Sequence, residues 1–107
     1  MASTFVNAGV NVLNTPTTLY TAPASTQSII HALYIANVDG TNSCWVNIEV
    51  SIDGGTTFKH TGYHLPVPAQ STLIHDKPIN LEAADVIRLT AENAGDLEAV
   101  ASILEIT

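Results

Sequence analysis

The sequence has almost no positive charge: three basic residues, Lys59, Lys77 and Arg88, stand against ten acidic ones, giving a formal charge of -7. That balance repels phosphate backbones and anionic lipid, and it argues against direct contact with nucleic acid or a membrane surface. Charge of either sign is sparse, at 12% of residues. An ordinary soluble domain carries roughly 25%, so neutral Ser, Thr, Asn and Ala must form much of this surface, which suits permanent packing against neighbours. The single cysteine, Cys44, cannot form an internal disulfide. Stability therefore rests on packing and hydrogen bonds, and no oxidising compartment is implied. No apolar run approaches the roughly 18 residues that span a bilayer. The stretch Met1 to Leu13 lacks the basic and continuously apolar segments of an export signal. The expectation is a soluble protein made in the cytoplasm of its host cell.

What is present is apolar and patterned for strands. Residues of the set AVILMFWYC make up 46% of a chain of 107 residues, enough for one well-filled core and too much for a disordered tail. From Cys44 to Ile52, the residues Cys44, Val46, Ile48, Val50 and Ile52 alternate with Trp45, Asn47, Glu49 and Ser51, so one face is core and the other is not. Gln27 to Val38 is a second long apolar segment, and the turn cluster Asp39-Gly40-Thr41-Asn42 separates the two. Asp53-Gly54-Gly55 predicts a tight hairpin into a strand over Thr56 to Tyr63. Leu65-Pro66-Val67-Pro68 can only be an edge or connecting segment, because each proline removes a ladder donor.

Further strands are expected at Phe5 to Val12, Thr17 to Thr21, Thr72 to His75, Val86 to Ala91 and Leu97 to Ile106. Turns are expected at Asp76 to Pro78, Glu82 to Asp85 and Asn93 to Asp96. The helix-like stretches Leu81 to Ala84 and Ala91 to Asn93 allow no more than single turns. Short strands with regular turn signals define the fold class: all-β, a single antiparallel β-sandwich or jelly-roll-like domain over residues 1–107 with no substantial helix. Residues 1–16 are either an N-terminal strand or an arm reaching a neighbour.

Chemistry-bearing residues do not converge in this pattern. His60 and His64 have a His-x3-His spacing, but on a strand they lie about 13 Å apart, too far to share an ion with His75 unless Gly62 breaks the strand. Cys44 belongs to the apolar parity of its strand, where a thiol is dehydrated and inert. The carboxylates Asp39, Asp53, Asp76, Asp85 and Asp96 all fall in turns, where they cap their own backbone, and no loop shows the alternating ligand spacing of a calcium site. No catalytic residue, metal ligand or cofactor site is therefore assigned. Trp45 is the exception to a bland surface. Alternation puts it on the polar face beside Asn47 and Glu49, and a large aromatic there marks contact with another surface. Trp45, Asn47, Glu49 and Tyr34 are the candidate interface residues. The last strand has no clearly wet face, since both of its parities are apolar, so both its sides are expected to be covered.

Four stretches of the sequence carry a resemblance. Thr18-Leu19-Tyr20-Thr21-Ala22-Pro23-Ala24, Ile35-Ala36-Asn37-Val38-Asp39-Gly40-Thr41-Asn42 and Gly95-Asp96-Leu97-Glu98-Ala99-Val100, together with Leu81-Glu82-Ala83-Ala84-Asp85, resemble the pattern of small structural proteins of tailed bacteriophage virions. The similarity runs over nearly the whole chain, with Ala84 where the pattern often has Gly. It implies a non-enzymatic virion component, first of all a capsid decoration or cement protein that bridges subunits of the major capsid protein, working as a homodimer or homotrimer. A neck, tail or baseplate component is the alternative, and a host-surface or carbohydrate-binding module using Trp45, Tyr34 and Tyr63 is a third reading.

Overall fold

A computed structural model describes residues 2–107. Among the described residues there are nine strands and no helix: β1 (Ser3–Val12), β2 (Thr17–Thr21), β3 (Gln27–Asn37), β4 (Cys44–Ser51), β5 (Lys59–Val67), β6 (Thr72–His75), β7 (Ile79–Leu81), β8 (Val86–Ala91) and β9 (Leu97–Ile106). They form two antiparallel sheets. One has the order β1-β9-β3-β6, with β7 continuing along the same edge of β3; the other has the order β2-β8-β4-β5. The sheets close over a core to which β3 and β9 contribute Ile30, Leu33, Ile35, Ala101 and Ile103, and β4 and β8 contribute Val46, Ile48, Ile87 and Leu89. Removing each such side chain from water is worth about 1.5–3 kcal/mol.

The pairing is nested. β1 pairs with β9, β2 with β8, β3 with β6 and β7, and β4 with β5. The chain is thus one long two-stranded ribbon with its tip at the β4–β5 connection. The ribbon is rolled until β9 lies against β3 and β8 against β4. This is a jelly roll, and the all-β antiparallel sandwich expected from the turn spacing is what the chain forms.

Polar groups pin the two sheets at both ends. At one end Asn37, buried at the close of β3, donates through Nδ2 to the Val67 carbonyl at 2.9 Å and to the Asn42 carbonyl at 3.0 Å. Its Oδ1 accepts from the Asp39 amide at 2.9 Å. At the other end the Tyr20 hydroxyl on β2 reaches across to Ser28 on β3 and Glu105 on β9.

Several local expectations are corrected. The strand after Asp53 begins at Lys59 and runs through Pro66, because β5 is the sheet edge and a missing donor there costs nothing. The connection is not a tight hairpin. Val50 pairs with Lys59, leaving eight residues, and the Asp53 carboxylate organises them by accepting from the amides of Thr56 and Thr57 at 3.1 and 3.0 Å. Ile52 leaves the core face and is exposed, while Ser51 turns inward and its hydroxyl accepts from the Gly55 amide at 2.7 Å. Leu81 to Ala84 is no helical turn either: Leu81 ends β7, a strand the sequence reading missed, and Glu82 to Asp85 is a turn closed by the Asp85 carboxylate on the Glu82 amide. Residues 3–12 pair along their whole length with β9 of the same chain.

Candidate interaction surfaces

The outer face of the β2-β8-β4-β5 sheet carries Trp45, Asn47 and Glu49, each half-buried, on the side of β4 away from the core. Opposite them β5 is irregular. Gly62 pairs with Ile48 and Leu65 with Val46, so Tyr63 and His64 together face the single residue Asn47. Such a bulge turns two consecutive side chains to one side. His64 adopts a left-handed φ of 49° to do so, and its amide donates to Asn47 Oδ1 at 2.7 Å. Gly62 leaves room beside this bulge: a Cβ there would lie 2.5 Å from Leu65 Cδ1, so the Leu65 side chain would have to move.

The consequence is a three-ring stack. The His64 ring lies between Trp45 and Tyr63, with centroids 4.0 Å from each, and His60 meets Tyr63 edge-on at 5.1 Å. A second cluster adjoins it on the same face. Arg88 donates to Glu49 at 3.1 Å and lies 3.6 Å over the Phe58 ring, while His60 stands 3.6 Å from the other Glu49 oxygen. Asn47 and Glu49 thus position the rings and the guanidinium. Because of the bulge β5 is not the regular strand on which His60 and His64 would stand about 13 Å apart, and each ring has taken another partner, His64 between Trp45 and Tyr63 and His60 beside Tyr63 and Glu49. Among the described residues no three metal-ligating side chains come together.

The opposite outer face, on the β1-β9-β3-β6 sheet, is more apolar. Phe5, Tyr34, Ile74 and Val100 are 80%, 42%, 57% and 47% exposed. Tyr34 belongs here, across the sandwich from Trp45, so the four candidate interface residues are divided between two surfaces. Trp45, Tyr34 and Tyr63 do not make one platform for a sugar ring. Both sides of β9 are apolar, as the sequence indicated, but within one chain only the inner side is covered. From the sequence His64 was weighed as a metal ligand with His60, not as the partner of Trp45, and Arg88 was not connected with this surface. A helpful signal was present for the first: Gly62 two residues before it in a strand otherwise rich in side chains.

A depression of about 410 Å³ opens at the end of the sandwich among Ser25, Thr26, Gln27 and Glu82. Cys44 is buried, and among the described residues no helix is long and apolar enough to cross a membrane.

No family model matches the chain, and no curated protein does. Solved structures do resemble it. A chain of the acidic stable capsid structure of Helicobacter pylori bacteriophage KHP30 is 15% identical with a TM-score of 0.58, covering 100% of this chain and 89% of that one. A chain of infectious bursal disease virus, Gx strain, is 12% identical with a TM-score of 0.54, covering 97% of this chain but only 31% of the viral one. At these identities the likeness is one of fold alone.

Proposed function

We propose that this protein is a structural component of a tailed-phage virion, and within it a capsid decoration or cement protein that bridges neighbouring subunits of the major capsid protein. The observation that carries this reading is the end-to-end fold likeness to a chain of a bacteriophage capsid, spanning 100% of this chain and 89% of the other. The resemblance of the LYTAPA, ANVDGTN and GDLEAV stretches to phage structural proteins points the same way. So does the surface: one outer face bears an ordered Trp45–His64–Tyr63 stack with Arg88 beside it, the residue types that anchor interfaces.

The role is non-catalytic clamping. A protein that binds the assembled shell and not its free subunits stabilises the shell by mass action. Several copies joined together would raise the effective concentration of each further contact. The low charge of the outer face of the β1-β9-β3-β6 sheet favours permanent contact over rapid, steered exchange.

Quantitative mass spectrometry of purified particles, joined to cryo-electron microscopy, tests this directly. Hundreds of copies distributed over the shell are expected. A dozen or fewer at one vertex would assign the chain to the neck or tail instead, and absence from particles would overturn the virion reading altogether.

A further inference from the structure

The outer face of the β1-β9-β3-β6 sheet is ordered in rows that run across the strands. Register puts Phe5, Leu104 and Ile29 in one row, and Gly9, Val100, Tyr34 and Ile74 in another. Between them lie the small residues Asn7, Ser102 and Ala32, joined by His31, which bulges out of β3 beside Ala32 and brings its ring 6.3 Å from that of Phe5. The two apolar rows are therefore equally spaced on either side of a middle row that only the His31 ring raises.

Gly9 is unexplained within one chain. It lies mid-strand, its φ is not left-handed, and an added Cβ would meet only ordinary contacts, at 3.5 Å from the Ala99 carbonyl and 3.7 Å from Val100. Glycine weakens a strand interior, and in that position it commonly marks a close approach from outside. Here it forms the floor of an open groove of about 380 Å³ bordered by Asn11, Glu98 and Val100. Four residues away on the same strand, Phe5 projects its ring almost wholly into solvent.

We propose that this face is the contact between two copies of the chain, packed face to face about a two-fold axis along the Asn7–Ser102–Ala32 row, with Phe5 of each copy seated over Gly9 of the other. That rotation reverses the strand direction and exchanges the two apolar rows while each strand stays over its own counterpart. Leu104 then meets Val100 of the second copy, and Ile29 meets Tyr34. Aligned sheets cross at about 30°, which displaces rows about 6.6 Å from the axis by only about 3 Å. The ring and the groove stay in reach.

Charge favours a second copy as the occupant. Of the ten acidic residues only Glu98 points outward on this face, no Lys or Arg does, and the one imidazole there is that of His31 beside Phe5. The two-fold axis carries Glu98 to the far end of the partner's sheet, away from the partner's own Glu98. Two chains of charge -7 can thus meet here without facing carboxylates, whereas a basic partner would find little to hold. β1, β9 and β3, of ten, ten and eleven residues, with the four of β6 and three of β7 beside them, cover about 600 Å² on each copy, or about 1,200 Å² in total, the lower bound for a stable interface. The inference is independent of the virion reading, since it concerns the isolated chain.

Sedimentation velocity over a concentration series, with far-UV circular dichroism melts in parallel, tests it. The wild-type chain should sediment as a two-chain species. Phe5→Ser, which removes the ring, and Gly9→Val, which fills the groove, should each raise the dissociation constant tenfold or more. Gly9→Val should do so without lowering the melting temperature of the single chain, because valine suits a strand. Ile52→Ser, an equally exposed apolar residue at the end of the sandwich, should leave the two-chain species intact. A wild-type chain that stays single at about 100 µM, or Gly9→Val and Phe5→Ser chains that pair as the wild type does, would overturn the proposal.

Discussion

The Tyr20 hydroxyl donates to Glu105 Oε2 at 2.5 Å and lies 2.8 Å from the Ser28 hydroxyl, tying β2 of one sheet to β9 and β3 of the other. Burial and the adjacent Glu105 carboxylate raise the Tyr20 pKa to about 12, because an anionic phenolate there would be poorly solvated and would face a second negative charge. The folded chain therefore holds this proton more tightly than the unfolded one. The resulting stabilisation is fully present below pH 10, the ordinary tyrosine value, and is lost as the pH rises towards 12. Of the three tyrosines, one should titrate near pH 12 by its absorbance near 295 nm, and Tyr20→Phe should remove that step. The same substitution should cost about 1–2 kcal/mol in urea unfolding at neutral pH, since it leaves the Glu105 carboxylate and Ser28 without their shared partner.

Asp53 makes the opposite prediction at acid pH. The Thr57 hydroxyl and amide, the Ser51 hydroxyl and the Thr56 amide all donate to its carboxylate, and together they hold its pKa well below the usual carboxylate range. Its contribution is present above the ordinary carboxylate pKa and is lost as the pH falls through the depressed one. Asp53→Asn should lower the melting temperature at pH 7 and flatten its decline between about pH 4 and pH 2. A decline as steep as that of the wild type would show that the loop does not couple to global unfolding.

Ala84 occupies a left-handed backbone conformation, φ 71°, in the turn between β7 and β8. A Cβ is strained there and glycine is not. The turn is held from both sides, since the Ala84 amide donates to Ala22 at 2.9 Å and the Asp85 amide to Glu82 at 3.0 Å. Ala84→Gly should therefore stabilise the chain by about 0.5–1 kcal/mol in denaturant titrations, relief of strain outweighing the added freedom of the unfolded chain. Destabilisation would mean that the turn adopts another conformation in solution.

Trp45→Ala should separate stability from association. The indole is only half-buried and stacks on His64, so its loss should cost no more than about 1–2 kcal/mol of folding stability. If the Trp45 face contacts the capsid, binding of the variant to particles stripped of the wild-type chain should fall at least tenfold. Unchanged binding would transfer the capsid contact to another surface.

How much of this was legible in the sequence depends on the range of the interaction concerned. The alternation of β4 predicted its buried residues correctly up to Val50, since period 2 is imposed by the strand itself. It failed at Ile52 because the next step was set by the Asp53 and Ser51 side chains, which capture the backbone before the alternation can continue. The placing of Pro66 at an edge was legible from its missing donor. β7 was not, since three residues after Pro78 carry no pattern and pair only because β3 offers a free edge. Trp45 was found as a misfit, but its stacking partner was hidden by the bulge, whose register depends on how β5 meets β4. Tyr34 was grouped with Trp45 although parity within single strands cannot say which sheet a strand will join.

The nested ribbon also has a consequence for how the chain is made. The β4–β5 pair can form soon after residue 67 leaves the ribosome, but β1 has to wait for β9, whose Leu97 pairs with Val12 and whose Ile106 pairs with Ser3. Synthesis at about 5–20 residues per second leaves those first ten residues without their ladder for several seconds. During that interval an exposed strand carrying Phe5 is free to pair with the wrong edge. Closing so long a loop is entropically slow as well. The last strand of the jelly roll to be synthesised is thus the one that pairs with both β1 and β3, and the emergence of β9 from the ribosome sets the earliest moment at which the fold can be complete.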